Sequence, residues 1–457
     1  MINNMRKYNV LFIVLDTLRK DYAMPLEESL KSFGFISYNK VIAPASWTLP
    51  SHASMFTGLY PILHKAHESK SRKCPHIKLK MDNLLNIKLQ KMGFSTYLLS
   101  GNTFVSPRFG FKDFEYFFEA WNAPSNVSIL SSDERRFLSD MVKKYNNSRI
   151  ATVCNLISSR KYTFLMRIIF EFFIRRVINV PYQFIYRKIM RYPLDKGSNK
   201  IIKHFKRIIV EDGGPWFIFI NFNEVHEPYY WGDKFYGELV MNIRENKKID
   251  PNLIRIWKEN YPKEVSYINS QILNIIKILT KYNLLNNTLI IITSDHGQLL
   301  GEYGRICHGI FLFDELLYVP LLVKYPKDYK IKQIINNKDY ISLTHLYPFI
   351  LSFVEKDLTN DSVLYSEEVF SESYGIQDDF GFDSSDRKNK NIQNLEKYRL
   401  AVYYRSYKGI FNVNDWRFEE IISYNPTEKT IDENIITEMR AKVIKFLKKK
   451  AVIPQLK

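Results

Sequence analysis

Four side chains in three short stretches carry the chemistry open to this sequence. The first stretch, Ser46 to Gly58, begins with small polar residues and then places Pro50. Proline's fixed φ and missing N–H suit a first helical turn. The residues that follow read as a helix closed by Gly58. Thr48 therefore falls at a helix N-terminus, where unpaired N–H groups and the positive end of the helix dipole favour an anion. A hydroxyl there is placed to attack a tetrahedral anion; it also fits the simpler duty of a helix cap. The second stretch, Asn9 to Thr17, is an apolar run ending in Asp16, and the third, Thr288 to Gly297, repeats the design with Asp295 and His296 at its end. Such runs read as buried parallel strands. Ligands in open α/β sheets bind beyond the carboxyl ends of the strands. Asp16, Thr48, Asp295 and His296 are thus expected to converge on one divalent metal ion. Two carboxylates, a hydroxyl and an imidazole suit Mn2+ or Zn2+; Mg2+ or Ca2+ fits the imidazole less well.

Other elements must hold those residues in place. Phe94–Ser100, Pro215–Phe222 and Tyr318–Lys324 read as further strands, and Met81–Met92 and Val265–Leu279 as amphipathic helices. The alternation predicts an α/β protein. Asn102 follows a strand end and fits a turn. His64 and His67 lie in a loop and read as surface histidines. Asp357 to Lys397 is polar and acidic and reads as a mobile loop. Tyr398 to Tyr424 alternates as antiparallel strands do, and Ile431 to Lys450 reads as a closing helix whose terminal lysines complement its dipole.

A length of 457 residues suits one large domain and a smaller one. The net charge of +18 calls for a polyanionic neighbour. It is concentrated: sixteen Lys or Arg and two acids lie between Lys143 and Arg207. Within that segment Tyr162 to Ile178 is apolar but interrupted by Arg167, Arg175 and Arg176, so no run reaches the ~20 residues of a bilayer span. Such a helix suits a membrane interface and anionic lipid; a hairpin with a solvated basic face is the plainer alternative. No nucleic-acid-binding motif accompanies the charge, so nucleic acid is not the expected partner. Cys74, Cys154 and Cys307 are widely spaced and odd in number, which implies neither a disulfide framework nor a cysteine zinc site. Met1 to Tyr8 does not read as a signal peptide. The expected location is cytoplasmic, including the inner face of the membrane.

Taken together, the motifs resemble the sulfatase family of the alkaline phosphatase superfamily. Thr48-Leu49-Pro50-Ser51-His52 falls on the signature Cys/Ser-x-Pro-Ser-Arg, and Met55-Phe56-Thr57-Gly58 on the Leu/Met-x-Thr-Gly that follows it. Ser294-Asp295-His296-Gly297-Gln298 with Leu300-Gly301-Glu302-Tyr303-Gly304 is similar to the family's Ser-Asp-His-Gly-Glu-x-Leu-Gly-Glu-His-Gly. His226-Glu227-Pro228-Tyr229 matches a His-x-Pro-Tyr element, and Asp314 to Leu321 a Tyr-Glu…Val-Pro-Leu segment. The resemblance runs from about residue 8 to about 326. It implies a three-layer α/β/α sandwich with a mixed, mostly parallel sheet and a small C-terminal α+β subdomain. The implied division is a catalytic domain at 8–330 with a basic helical insertion at about 131–210, then a C-terminal subdomain at 331–457 with a small antiparallel sheet.

The same resemblance suggests further roles. His226 would hold the substrate anion or protonate the leaving oxygen. Arg305 and His308 stand where the family has a lysine that neutralises the leaving group, so His308 would replace it or serve as a second proton donor. His52 takes the place of the signature arginine, and Asn102 that of a polar group touching substrate. Thr17 replaces a second acidic ligand. The departures matter most at Thr48. Sulfatases make a formylglycine from Cys or Ser, and a threonine cannot yield that aldehyde because its β-carbon carries a methyl. Thr48 would attack as an alkoxide activated by the metal, through a phospho-threonine intermediate. The expected function is a metal-dependent hydrolase of phosphate or sulfate esters, with phosphate favoured. The alternatives are a transferase moving a phospho-headgroup onto a glycan or lipid at a membrane face, and a non-catalytic protein that binds anionic glycans or lipids.

Overall fold

The computed structural model describes residues 8–452, apart from 71, 121–128, scattered positions between 131 and 147, 175, 178–194, 230–234, 335–338, 356–357, 379, 381, 383–385 and 429. The apolar runs become strands: β1 (Asn9–Leu15), β2 (Ile36–Tyr38), β3 (Val41–Ile42), β4 (Ser95–Ser100), β5 (Tyr116–Glu119), β6 (Trp216–Phe222), β7 (Thr288–Thr293), β8 (Leu299–Leu300), β9 (Ile306–Cys307) and β10 (Leu321–Lys324). Seven of them form one sheet in the order β2-β10-β7-β1-β6-β4-β5. The strands from β7 to β5 run parallel, and β10 is antiparallel to both its neighbours.

Every residue of β1 is buried, because helices cover both faces. Val10, Phe12 and Val14 pack with the helices Thr48–Thr57, Leu85–Lys91 and Leu346–Glu355. Leu11, Ile13 and Leu15 pack with the helices Met24–Lys31, Ser198–Glu211 and Pro251–Lys281. This is the three-layer α/β/α sandwich expected. The parallel register puts Leu15 opposite Phe222, Val14 opposite Thr293 and Ser100 opposite Asn221. The residues after β1, β4, β6 and β7 therefore emerge along one edge.

Beyond β10 come β11 (Tyr340–Ser342), β12 (Tyr365–Ser366), β13 (Glu368–Ser373), β14 (Arg399–Tyr404), β15 (Tyr407–Asn412) and β16 (Arg417–Ser423). The last four make an antiparallel sheet covered by the Glu433–Val452 helix through Ile435, Met439, Val443 and Phe446. Packing divides the chain into one unit of Met1–Trp121 with Gly197–Lys457, and a second unit, Asn122–Lys196. The second unit carries the helices Arg149–Ser158 and Tyr162–Ile174. Tyr162, Met166, Ile169, Phe170, Phe172 and Phe173 of the latter are all exposed. Arg175, and residues 178–194 of the basic segment, lie outside the described residues. Among the described residues no helix is long and apolar enough to cross a membrane.

Several local expectations change. Met81–Met92 shrinks to the helix Leu85–Lys91, and Val265–Leu279 grows to Pro251–Lys281, started by the Asp250 side chain accepting from the Asn252 N–H. The Ser198–Glu211 part of the basic stretch is a core helix, with Ile201, Ile202, Phe205, Ile208 and Ile209 buried. The 357–397 segment, read as a mobile loop, contains β13, whose buried face is hidden in the sequence by serines and glutamates. His64, read as a surface histidine, is 3% exposed; its Nδ1 accepts from the Ala66 N–H and its Nε2 meets Ser54 Oγ at 3.0 Å.

Phe219 is the packing pivot beneath the Thr48 helix, with its ring 5.1 Å from Phe12, 4.8 Å from Phe56 and 5.8 Å from His52. Phe219→Ala is expected to cost about 3–5 kcal/mol through lost contacts and a residual cavity, read from chemical denaturation. A loss under about 1 kcal/mol would contradict this placement.

Candidate active site

The helix that presents Thr48 does not use it as a cap. Trp47 is the extended N-cap residue, with φ −158°, and Thr48 is the first helical residue. No side chain caps this end. The Thr48 hydroxyl instead stands 3.3 Å from His296 Nε2. His52, one turn on, donates from Nδ1 to the Thr48 carbonyl at 2.9 Å, and Ser51 Oγ donates to the Ala45 carbonyl at 2.9 Å. Gly58, with φ +69°, ends the helix in the left-handed region that glycine favours.

The neighbouring strand ends supply the rest. Asp16, Asp295 and His296 are fully buried. Asp16 Oδ2 accepts from Asn102 Nδ2 at 2.7 Å. Asp295 Oδ1 accepts from the N–H groups of Thr17, at 3.3 Å, and His296, at 2.9 Å. Thr17 has φ +64°, held there as its carbonyl accepts from the Tyr261 hydroxyl at 2.7 Å. His296 donates from Nδ1 to the Gly297 carbonyl at 2.9 Å, which leaves Nε2 facing inward. That nitrogen is 3.4 Å from Asp295 Oδ2 and 3.7 Å from Asp16 Oδ1. Gly297 permits this turn: a Cβ there would fall 1.9 Å from the Glu315 carbonyl oxygen.

Among the described residues, Asp16 Oδ1, Asp295 Oδ2 and Thr17 Oγ1 are buried without a hydrogen-bond partner. Buried carboxylate oxygens left so are costly unless a cation satisfies them. Asp16, Asp295 and His296 each offer a ligand atom within 4.8 Å of the others. The residues present thus fit a divalent ion, with the Thr48 hydroxyl at its edge. Burial and the charge of Asp295 push the Asp16 carboxyl up to about 6. Burial pushes Asp295 up to about 7, and drives the His52 imidazole down to about 3. His296 is lowered by burial as well, so its neutral, ligating form is favoured.

The other anticipated residues divide into three groups. His226 and His308 come together, with rings 5.0 Å apart, and His308 lies 4.5 Å from His296. His52 and Asn102 are brought to the cluster but are spent on holding it. His52 Nε2 accepts from Asn221 Nδ2 at 3.2 Å, while the Asn102 Oδ1 accepts from the Phe104 N–H at 2.9 Å. Arg305 faces elsewhere: its guanidinium donates to Asn242 at 2.7 Å and to Asn246 at 2.8 Å. Sequence reading missed the roles of Gln298 and Asn221, and named Glu227 only with His226 and His308 as a candidate second set of ligands, favouring a single ion. Gln298 Nε2 donates to Glu227 Oε2 at 2.8 Å, and its Oε1 accepts from His308 Nδ1 at 2.7 Å. Glu227, beside His226 just past a strand, was the one legible signal.

The sulfatase family model matches residues 8–355. The chain belongs to the sulfatase family. Among curated relatives it is 25% identical over 136 residues to the uncharacterized sulfatase YidJ of Escherichia coli, covering 25% of this chain and 27% of that protein. It is 25% identical over 142 residues to a choline-sulfatase of Rhizobium meliloti, covering 25% of this chain and 28% of that one. The matched stretches thus span little more than a quarter of these relatives. Over the whole fold it is similar to the phosphonate monoester hydrolase of Agrobacterium radiobacter, with a TM-score of 0.61 at 15% identity, covering 97% of this chain and 96% of that one. Sulfatase-family proteins generally use a divalent metal ion, which agrees with the donor set here.

The raised carboxyls set the pH dependence of cation binding. Below about pH 6–7 a cation must displace protons from Asp16 and Asp295; above that it need not. Affinity is expected to rise with pH through this range and then level off. Calorimetry in buffers of different ionisation enthalpy should show proton release on the acid side and none above about pH 8. Proton release independent of pH would contradict the assignment.

Proposed function

We propose that this sulfatase-family chain is a metal-dependent hydrolase of phosphate or sulfate esters, with Thr48 as its nucleophile and phosphate esters favoured. The observation that carries this reading is the Thr48 hydroxyl, unused as a cap, 3.3 Å from His296 Nε2 and beside the partnerless oxygens of Asp16 and Asp295. Asp16, Asp295, His296 and Thr48 would hold the ion, which would supply a lowered pKa for the hydroxyl and positive charge against the substrate's oxygens. Mn2+ or Zn2+ suits that donor set best.

The remaining steps belong to the chain. Thr48 Oγ gives up its proton to solvent and bonds, as an alkoxide, to the phosphorus or sulfur as the bond to the leaving oxygen breaks. His226 and His308, whose rings meet beside His296, are assigned to the departing oxygen, which takes its proton from one of them. Water then cleaves the bond to Thr48 and regenerates its hydroxyl. His52 fixes the carbonyl of the nucleophile's own residue, and Asn102 fixes Asp16, so both are positioning residues. Because threonine cannot become formylglycine, the reaction runs through an ester of its hydroxyl, which favours phosphate chemistry over sulfate.

A second reading has its own support. The exposed apolar helix Tyr162–Ile174, in the most basic segment of the chain, fits the interface of an anionic membrane. A transferase delivering a phospho-headgroup to a lipid or glycan there, at the inner face of the cell membrane, would use the same Thr48 chemistry. An added alcohol acceptor separates the two: a transferase yields the alcohol's ester, a hydrolase yields free phosphate or sulfate.

Parallel aryl phosphate monoester, phosphodiester and sulfate substrates test the main reading. With Mn2+ or Zn2+ present, phosphate ester turnover is expected to exceed sulfate turnover. Thr48→Ala should lower it about 10³-fold or more. Sulfate turnover above phosphate, or activity that survives Thr48→Ala, would sink the proposal.

A further inference from the structure

We propose that Arg19 is a positioning residue that sets the spacing between Asp16 and the Asp295–His296 pair, and through it the grip of this cluster on its cation. The strands cannot set that spacing alone. The ladder between β1 and β7 ends at Val14 and Thr293, and Asp16 and Asp295 each lie two residues beyond it. There the chain leaves the extended form, with Thr17 at φ +64°.

Arg19 ties the two loops together. It follows Asp16 by three residues, and its guanidinium reaches the loop that follows His296. Nη1 donates to the Gln298 carbonyl at 3.1 Å and to Glu302 Oε1 at 2.8 Å. Nε and Nη2 donate to the two oxygens of Asp21, at 3.0 and 2.7 Å. The Arg19 N–H donates to the Tyr261 hydroxyl at 3.0 Å, and that hydroxyl donates to the Thr17 carbonyl. The stem lies along the turn after His296: a Cβ on Gly297 would fall 3.1 Å from Arg19 Cγ. One residue thus holds the backbone two positions past His296 and, through Tyr261, the backbone next to Asp16.

The residue type matters. Arg19 is 5% exposed, and a charge so far out of water is kept only where it is paired and hydrogen-bonded. Four hydrogen bonds in two directions need a planar fork, which the single ammonium of lysine does not offer. Burial works against the charge of Glu302, yet Arg19 holds that carboxyl below its ordinary value, so the pair stays ionised. Glu302 also accepts from the Leu300 N–H through Oε2 at 2.6 Å, which fixes more of the same loop. Contacts of this kind, one step removed from the ligands, govern how well the ligands fit a metal. The inference rests on the cation reading of Asp16, Asp295 and His296, and not on the reaction proposed above.

Mn2+ alone is the probe. It is titrated into the chelator-stripped full chain and followed by electron paramagnetic resonance, which counts the free ion and reports ligand geometry in the line shape of the bound one. Arg19→Lys is expected to lower Mn2+ affinity about 10–100-fold and to alter that line shape. Asp21→Asn, at an exposed carboxylate, keeps the guanidinium but loosens its hold, and is expected to move both readouts the same way by less. A brace that served stability alone would lower the melting temperature of the variants and leave affinity and line shape unchanged; that result overturns the inference. Circular dichroism shows whether Arg19→Lys is folded, and if it is not, Asp21→Asn decides. A wild type that binds no Mn2+ would overturn the cation reading itself, and this inference with it.

Discussion

Two carboxylates held side by side out of water govern the rest of this structure. Asp16 and Asp295 are fully buried, and among the described residues their ion-pair partners are histidines, which burial keeps neutral. Removing an ion from water costs several kcal/mol even after relaxation, and each carboxylate raises the cost of its neighbour. The fold counters this only in part, with the Asn102 amide and the N–H groups of Thr17 and His296. One oxygen on each carboxylate is left over, and both face the same space. A pocket that keeps its protons to a higher pH than ordinary carboxylates follows from that arrangement, and the Thr48 hydroxyl stands beside it.

The large sheet was legible because its strands are buried on both faces. Apolar runs at 10–15, 216–220 and 289–292 leave little other choice, and the polar residues that follow each run mark the functional edge. The candidate triad was legible for the same reason: Asp16, Asp295 and His296 lie just beyond such runs. The smaller elements hid themselves. In β13, Ser373 and Glu372 are buried by hydrogen bonding rather than by apolar character. The end of the basic segment, Ser198–Glu211, reads as charged although one face is core.

Side-chain roles were less legible than positions. The family resemblance gave Asn102 as a contact to substrate and His52 as the stand-in for the signature arginine. Only the three-dimensional partners show that they face inward, toward the Thr48 carbonyl and Asp16. Arg305 is adjacent in sequence to the right loop, but its guanidinium is bound by Asn242 and Asn246, more than fifty positions earlier. Gln298 went unnoticed because a neutral amide carries no chemistry of its own. Its value lies in holding Glu227 and His308 at once, a relation that sequence spacing does not display.

The strand order has a consequence for synthesis. β1 is made first, yet its two neighbours in the sheet are β6 and β7, which begin at Trp216 and Thr288. A largely apolar strand must therefore wait for about half of the chain to be made before its first edge is paired, and longer for its second. Pairings so distant in sequence form slowly and leave sticky edges exposed. The cation site cannot exist before β7 is in place, because Asp295 and His296 follow it directly. An ion bound as proposed would join only once β7 is paired, and a shortage of it would leave more newly made chains in the open, aggregation-prone form.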